Sequence, residues 1–134
     1  MIYLASPYSD PNPAIREQRF RIVCQVAAAM LRAGALVFSP IAHSIPIAEH
    51  GTAPNTWAFW KGLDLEMLAR SDEVVVLKLP GWDRSQGVQA EVVRARALGK
   101  PVSYVEAGDV TGRAGRRRRP GPPMGLIPGC YDER

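Results

Sequence analysis

Short apolar segments alternate with helical patterns along most of this chain. The candidate strands are apolar on both faces and cover residues 2–6, 35–38, 73–79 and 101–105. Between them, apolar residues recur three and four positions apart, over residues 14–33, 55–70 and 86–98. Strands of this kind, when joined by helices, form a parallel sheet that is covered on both sides. The alternation therefore predicts an α/β fold with a four- or five-stranded parallel sheet.

Two segments depart from this alternation. Residues 41–53 contain Pro46, Gly51 and two histidines, and we predict an irregular connection there. After Gly108, glycine, proline and arginine dominate the composition. We therefore predict a domain over residues 1–108 and a poorly ordered Gly/Pro/Arg-rich tail over residues 109–134. The domain is expected to be a Rossmann-like or flavodoxin-like three-layer sandwich. Such folds bind ligands beyond the carboxyl ends of the strands, near the point where the strand order reverses.

The net charge of +4 originates in the tail. Residues 1–112 carry 11 Lys/Arg and 11 Asp/Glu, whereas the last 22 residues carry six Arg and two acids. Because the domain has no overall basic character, we expect no nucleic-acid partner. We interpret the arginine run of residues 116–119 as part of a solvated tail; contact with nucleic acid or acidic lipid is the alternative.

Several classes of protein and site are excluded by what the sequence lacks. It has no run of about 18 apolar residues and no basic leader, so we expect neither a membrane span nor a secretion signal. Cys24 and Cys130 are far apart, which favours free thiols and a cytoplasmic location. His43 and His50 lack zinc-ligand spacing, and no glycine-rich phosphate motif occurs. We predict neither a metal nor an organic cofactor.

Glu91 is the candidate reactive group. It follows the turn segment of residues 79–87 and falls on the helix that begins near residue 86. At 100° per residue it shares a stripe with Val88, Val92, Ala95 and Leu98. An unpaired carboxylate on a buried stripe is costly, so it requires a partner or a function.

Asp64 is a second acid in an equivalent position. It lies within the apolar face of the preceding helix, whose Trp57 and Trp60 we assign to the core. The two acids flank one strand and could meet at its carboxyl end. A carboxyl pair with separated pKa values suits displacement at a sugar carbon, since one acid stays ionised as nucleophile and the other donates a proton. A structural salt bridge or a helix cap is the alternative role for each.

Further candidates surround this pair. Tyr3 can present its phenol to a carboxylate, although a core tyrosine fits the pattern equally. Ser85 can cap the following helix or bind an anion at its amino end. The predicted substrate-binding residues are Ser6, Tyr8, Arg19, His43, Trp82, Ser85 and Gly87.

Three segments carry a likeness to a known group of enzymes. They are IYLASP at residues 2–7, DLEMLARSD at residues 64–72 and SQGVQAE at residues 85–91. In this order and spacing the chain resembles the nucleoside 2-deoxyribosyltransferase superfamily, which includes 5'-monophosphate N-glycosidases, and within it a branch of small bacterial and phage proteins. The likeness covers residues 1 to about 105.

The resemblance implies a mechanism for the acid pair. Glu91 would attack the anomeric carbon and form a covalent glycosyl-enzyme, Tyr3 would orient Glu91, and Asp64 would protonate the departing base. It further implies that no metal or organic cofactor takes part and that the protein forms homodimers or larger assemblies.

Ser85 bears on the substrate. The transferases tend to carry Asp at this position, whereas the monophosphate hydrolases carry Ser, and a neutral hydroxyl tolerates a phosphate that Asp would repel. The first loop, however, lacks the glycines of the hydrolases. We therefore expect an N-glycosidase acting on a nucleoside 5'-monophosphate. The alternatives are base exchange by deoxyribosyl transfer and a non-catalytic nucleotide-binding sensor.

Overall fold

The computed structural model describes residues 1–113. Four strands form one parallel sheet in the order β2-β1-β3-β4. They are β1 (Ile2–Ala5), β2 (Val37–Phe38), β3 (Glu73–Leu77) and β4 (Val102–Val105). The predicted α/β class and the four-stranded parallel sheet are confirmed. Residues 116–119, Cys130 and most of the predicted tail lie outside the described residues.

Five α-helices surround the sheet. They are α1 (Pro13–Arg32), α2 (Pro40–His50), α3 (Trp57–Ala69), α4 (Gln86–Ala97) and α5 (Ala107–Arg113). A short 3-10 helix, Trp82–Arg84, precedes α4. Helix α5 crosses residue 108, where the sequence analysis places the start of the tail. Within residues 1–113, no helix combines the length and the apolar character needed to cross a membrane.

The helices form an outer layer on each face of the sheet. On one face, Tyr3 and Val74 pack with residues of α3 and α4, among them Leu68 and Val88. On the other face, the core consists of side chains from β1, β3, α1 and the segment after β3: Leu4, Val23, Val26, Val75, Leu77 and Leu79. Residues of α5 pack at the edge of this second cluster. The molecule is therefore a Rossmann-like three-layer sandwich.

The prediction of an irregular connection over residues 41–53 is wrong. Most of this segment belongs to α2, which begins at Pro40 after the capping residue Ser39. The Ser39 Oγ accepts a hydrogen bond from the Ala42 amide at 3.1 Å, and a proline suits the first position of a helix. Pro46 lies inside the helix and removes one backbone hydrogen bond. The neighbouring Ile45 is buried, and this packing maintains the helix across Pro46.

The strand order places a ligand-binding position between β1 and β3. The chain passes from β1 to β2 on one side and from β3 to β4 on the other, so the direction of winding reverses between β1 and β3. Open parallel sheets leave a crevice outside the carboxyl ends of the two strands at such a reversal. The segments that follow Ala5 and Leu77 border this crevice.

Candidate active site

A cavity of about 250 Å³ occupies the crevice at the reversal point. Four stretches of chain supply its walls: the loop after β1, the inner face of α2, the start of α3 and the start of α4. The two predicted reactive acids, Asp64 and Glu91, both line it. The sequence spacing that placed each acid on a core-facing stripe therefore brings both carboxyl groups to one cavity.

Both acids are almost completely removed from solvent. The exposed fractions are 5% for Asp64 and 4% for Glu91. Burial, followed by the charge of Asp64, raises the pKa of Glu91 to about 8, while the Tyr3 hydroxyl opposes this rise. Burial raises the pKa of Asp64 to about 6. Near neutral pH the two carboxyl groups therefore hold one proton between them.

Tyr3 belongs to the same cluster. It is fully buried on β1, and its hydroxyl approaches the Glu91 carboxyl without completing a hydrogen bond of normal geometry. Burial and the nearby carboxyls of Glu91 and Asp64 raise the pKa of Tyr3 above its ordinary value. The phenol therefore remains protonated and is available as a hydrogen-bond donor to an ionised Glu91.

Buried polar atoms without partners concentrate at this cavity. In the described part of the chain, the buried side-chain oxygens that lack a hydrogen-bond partner are Tyr3 Oη, Ser6 Oγ, Ser44 Oγ, Asp64 Oδ1 and Glu91 Oε2. Four of these residues line the cavity, and the fifth adjoins Glu91. Each unsatisfied buried group costs about 1–3 kcal/mol. Their concentration in one place indicates a site whose hydrogen bonds are completed by a polar ligand or by water.

The amino end of α4 forms another wall. The Ser85 Oγ caps the helix by accepting from the Val88 amide at 3.3 Å. The first-turn amides have no intrahelical acceptor and favour an anion. Arg84 lies immediately before the cap and is the one cationic side chain among the described residues that line the cavity. Positive charge is therefore concentrated on this side.

Gly87 separates Glu91 from Trp57. A Cβ atom at Gly87 would lie 3.5 Å from Trp57 Cε3 and 3.6 Å from Glu91 Oε1. These are ordinary contact distances, so a methyl group would fit but would occupy the space between the indole and the carboxyl. The glycine leaves this space open to the cavity.

The relationship to known proteins rests on the same part of the chain. A family model described as Domain of unknown function (DUF1937) matches residues 1–107. The chain belongs to this family. None of the curated proteins matches it. The DUF1937 match includes every segment that lines the cavity.

The predicted substrate-binding residues of this DUF1937 domain divide into two groups. Ser6, Tyr8, Ser85 and Gly87 line the cavity together with the two acids. Arg19, His43 and Trp82 are not part of the lining.

Each of these three has a different environment. The Arg19 guanidinium donates to backbone oxygens of Ser9 at 2.9 Å and Pro80 at 2.8 Å, and to that of Tyr8. His43 packs against Phe38 with ring centroids 5.6 Å apart. Trp82 packs against Tyr104 at 5.3 Å and borders the core.

Sequence reasoning also missed several lining residues. Ser44 and Ile45 were missed because α2 was not predicted. Trp57 and Trp60 were assigned to the core, yet both line the cavity, and Trp60 is at the same time buried. Arg84 was missed because it does not belong to an apolar periodic pattern. Its position directly before a helix-capping residue is the signal that could have identified it as a lining residue.

No cluster of three or more His, Cys, Asp or Glu side chains within residues 1–113 is arranged to hold a metal ion. The donors that the cavity does offer are hydroxyls, carboxyls, backbone amides and one guanidinium. This set is suited to hydrogen bonding and proton transfer with an organic ligand.

Proposed function

We propose that this protein is a retaining N-glycosidase that hydrolyses the base–sugar bond of a nucleoside 5'-monophosphate. The observation that carries the proposal is the group of unpartnered buried oxygens around the Asp64–Glu91 pair. Two acids whose pKa values are separated, in a cavity at the reversal point of a parallel sheet, have the composition that glycosyl transfer through a covalent intermediate requires.

The reaction has two steps. In the first, a Glu91 carboxylate oxygen bonds to the anomeric carbon while the carbon–nitrogen bond breaks. The electron pair of that bond goes to the base nitrogen, and the Asp64 carboxyl supplies the proton that the base needs to leave. In the second, water attacks the anomeric carbon, the ester bond to Glu91 breaks, and Asp64 takes the proton of the water.

The pair holds one proton near neutral pH, and the carboxyl that carries it decides whether the reaction can begin. Attack requires an ionised Glu91 and a protonated Asp64. Developing positive charge on the sugar stabilises the Glu91 carboxylate, as does donation from Tyr3, so the proton moves to Asp64 as the reaction begins.

A phosphate is accommodated by the α4 side of the cavity. Arg84, the first-turn amides of Gln86 and Gly87, and the neutral Ser85 cap form a wall that attracts an anion. A bound nucleoside has no phosphate and therefore offers the Arg84 guanidinium no ionic partner. The wall therefore supports a nucleotide over a nucleoside as substrate.

The test is incubation of the purified protein with a panel of nucleoside 5'-monophosphates and the matched nucleosides, scored by chromatography for liberated base. We expect base release from at least one monophosphate, and none with Glu91→Gln. Glu66→Gln is the matched control, because Glu66 is an exposed glutamate of α3 that pairs with Arg70. Arg84→Ala is expected to lower kcat/KM for monophosphates while leaving that for nucleosides unchanged.

The same assay separates the alternatives. If an added second base yields an exchanged nucleoside, the function is deoxyribosyl transfer and not hydrolysis. If calorimetry shows nucleotide binding that does not depend on Glu91, and no base is released, the protein is a nucleotide-binding sensor and not an enzyme. Activity that survives Glu91→Gln at the wild-type level would refute the mechanism.

A further inference from the structure

Trp57 offers a flat apolar surface close to the reactive acid. It is the first residue of α3, directly after the capping residue Thr56. A Cβ at Gly87 would lie 3.5 Å from Cε3 and 3.8 Å from Cζ3 of the six-membered ring of Trp57, and 3.6 Å from Glu91 Oε1. The ring edge and the carboxylate oxygen are thus separated by the width of one missing side chain.

The two tryptophans of α3 have different surroundings. Trp60 is buried, its Nε1 donates to the Pro54 carbonyl at 2.8 Å, and it packs edge-to-face with Phe59. Trp57 is only half-buried, lines the cavity and has no aromatic partner among the described residues. Trp60 is therefore fixed by the protein, whereas the Trp57 ring is available to a ligand.

We infer that Trp57 is the platform on which the nucleobase stacks while its bond to the sugar is cleaved, an inference that rests on the proposed function. The base is attached to the carbon that Glu91 attacks, so it must lie within a few ångströms of that carboxyl. Trp57 borders the space that Gly87 keeps open beside Glu91. An indole stacks on either a purine or a pyrimidine ring, because every base has a π-face.

The platform acts by holding the base in place. As the base departs it takes up the electron pair of the broken bond and the proton of Asp64, so it leaves neutral, and the indole offers it stacking rather than attraction for a charge. Loss of Trp57 is therefore expected to raise KM for nucleotides and to lower kcat/KM.

Binding to a catalytically inactive protein tests the platform directly. In the Glu91→Gln background, affinities for adenosine 5'-monophosphate, cytidine 5'-monophosphate and ribose 5-phosphate are measured by calorimetry for Trp57→Leu, Trp57→Phe and the parent. We expect Trp57→Leu to weaken binding of at least one nucleotide about tenfold, which corresponds to about 1.4 kcal/mol, and to leave ribose 5-phosphate unchanged. Trp57→Phe restores most of the loss.

A control variant and two outcomes complete the design. Trp82→Phe changes a tryptophan outside the cavity and is expected to leave the affinities for the two nucleotides and for ribose 5-phosphate at the parent value. Parent-like nucleotide affinity in Trp57→Leu would overturn the platform, and so would an equal loss for nucleotides and ribose 5-phosphate. Urea denaturation of Trp57→Leu verifies that the variant is folded.

The platform and the proposed function fail in different ways. If the wild-type protein releases no base but nucleotide binding depends on Trp57 as predicted, the glycosidase is refuted and the platform stands. If the wild-type protein releases base and Trp57→Leu does so with an equal kcat/KM, the platform is refuted and the glycosidase stands. An inactive protein that binds neither nucleotide refutes both.

Discussion

Replacing Glu91 by glutamine is expected to stabilise the protein, by an amount that depends on pH. Folding raises the pKa of the Glu91 carboxyl from 4.5 to about 8, mainly because the group is buried. A carboxyl of this kind binds its proton more tightly in the folded state. Its contribution to the free energy of unfolding is therefore fully present below pH 4.5 and is lost as the pH rises through about 8. At about 1.36 kcal/mol for each pKa unit, the loss amounts to about 5 kcal/mol. A glutamine side chain cannot ionise and avoids this loss.

Urea denaturation at about pH 4.5 and about pH 9 measures the effect. The free energy of unfolding of Glu91→Gln should equal that of the wild type within about 1 kcal/mol at the lower pH and exceed it by several kcal/mol at the higher pH. Glu66→Gln is the control, because the Glu66 side chain is 61% exposed and lies on the solvent side of α3. Its difference from the wild type should be small at both pH values.

The refuting result is a difference between Glu91→Gln and the wild type that is the same at both pH values. It would mean that Glu91 ionises in the folded protein as easily as in the unfolded chain. The carboxyl would then be solvated or paired, and both the buried acid pair and the mechanism built on it would be wrong.

Two further predictions concern the pair and the unpartnered hydroxyls. The pH profile of kcat/KM should be bell-shaped between about 6 and about 8, since the pair lacks an ionised nucleophile below this range and a proton donor above it; Asp64→Asn should leave a single limb. Ser44→Ala should raise the free energy of unfolding by about 1 kcal/mol by removing an unpaired buried hydroxyl, while lowering substrate affinity. Ser71→Ala is the control, because the buried Ser71 hydroxyl has a partner and donates to the Met67 carbonyl at 2.8 Å. This substitution should lower the free energy of unfolding by a similar amount.

The two acids could be predicted because helical periodicity is a local property. Asp64 and Glu91 interrupt apolar stripes at the helical spacing, and both stripes face the sheet in the structure. Once the parallel α/β class is known, the carboxyl ends of the strands indicate where such groups converge. Residue pattern and topology together sufficed for this part of the site.

Other parts of the site depend on tertiary contacts that periodicity does not encode. Pro46 favours a break, and only the packing of α2 against the remainder of the domain overrides it. The apolar stripe of α3 indicates that Trp57 points inward, but the same stripe would be found whether a core or a cavity lies there. The rise of both pKa values depends on the burial of the carboxyl groups, which spacing along a helix cannot specify.

Arg19 has a consequence for how one wall of the cavity is held together. One guanidinium donates to carbonyls from the loop after β1 and from the loop after β3, and Gly81 beside it has a φ of +92°, a conformation that favours glycine. The two loops at the reversal point are thereby tied together by one side chain, and separating them would break its hydrogen bonds. Tyr8 and Ser9, whose carbonyls Arg19 holds, both line the cavity. Replacing Arg19 would therefore loosen one wall of the cavity from a position outside its lining.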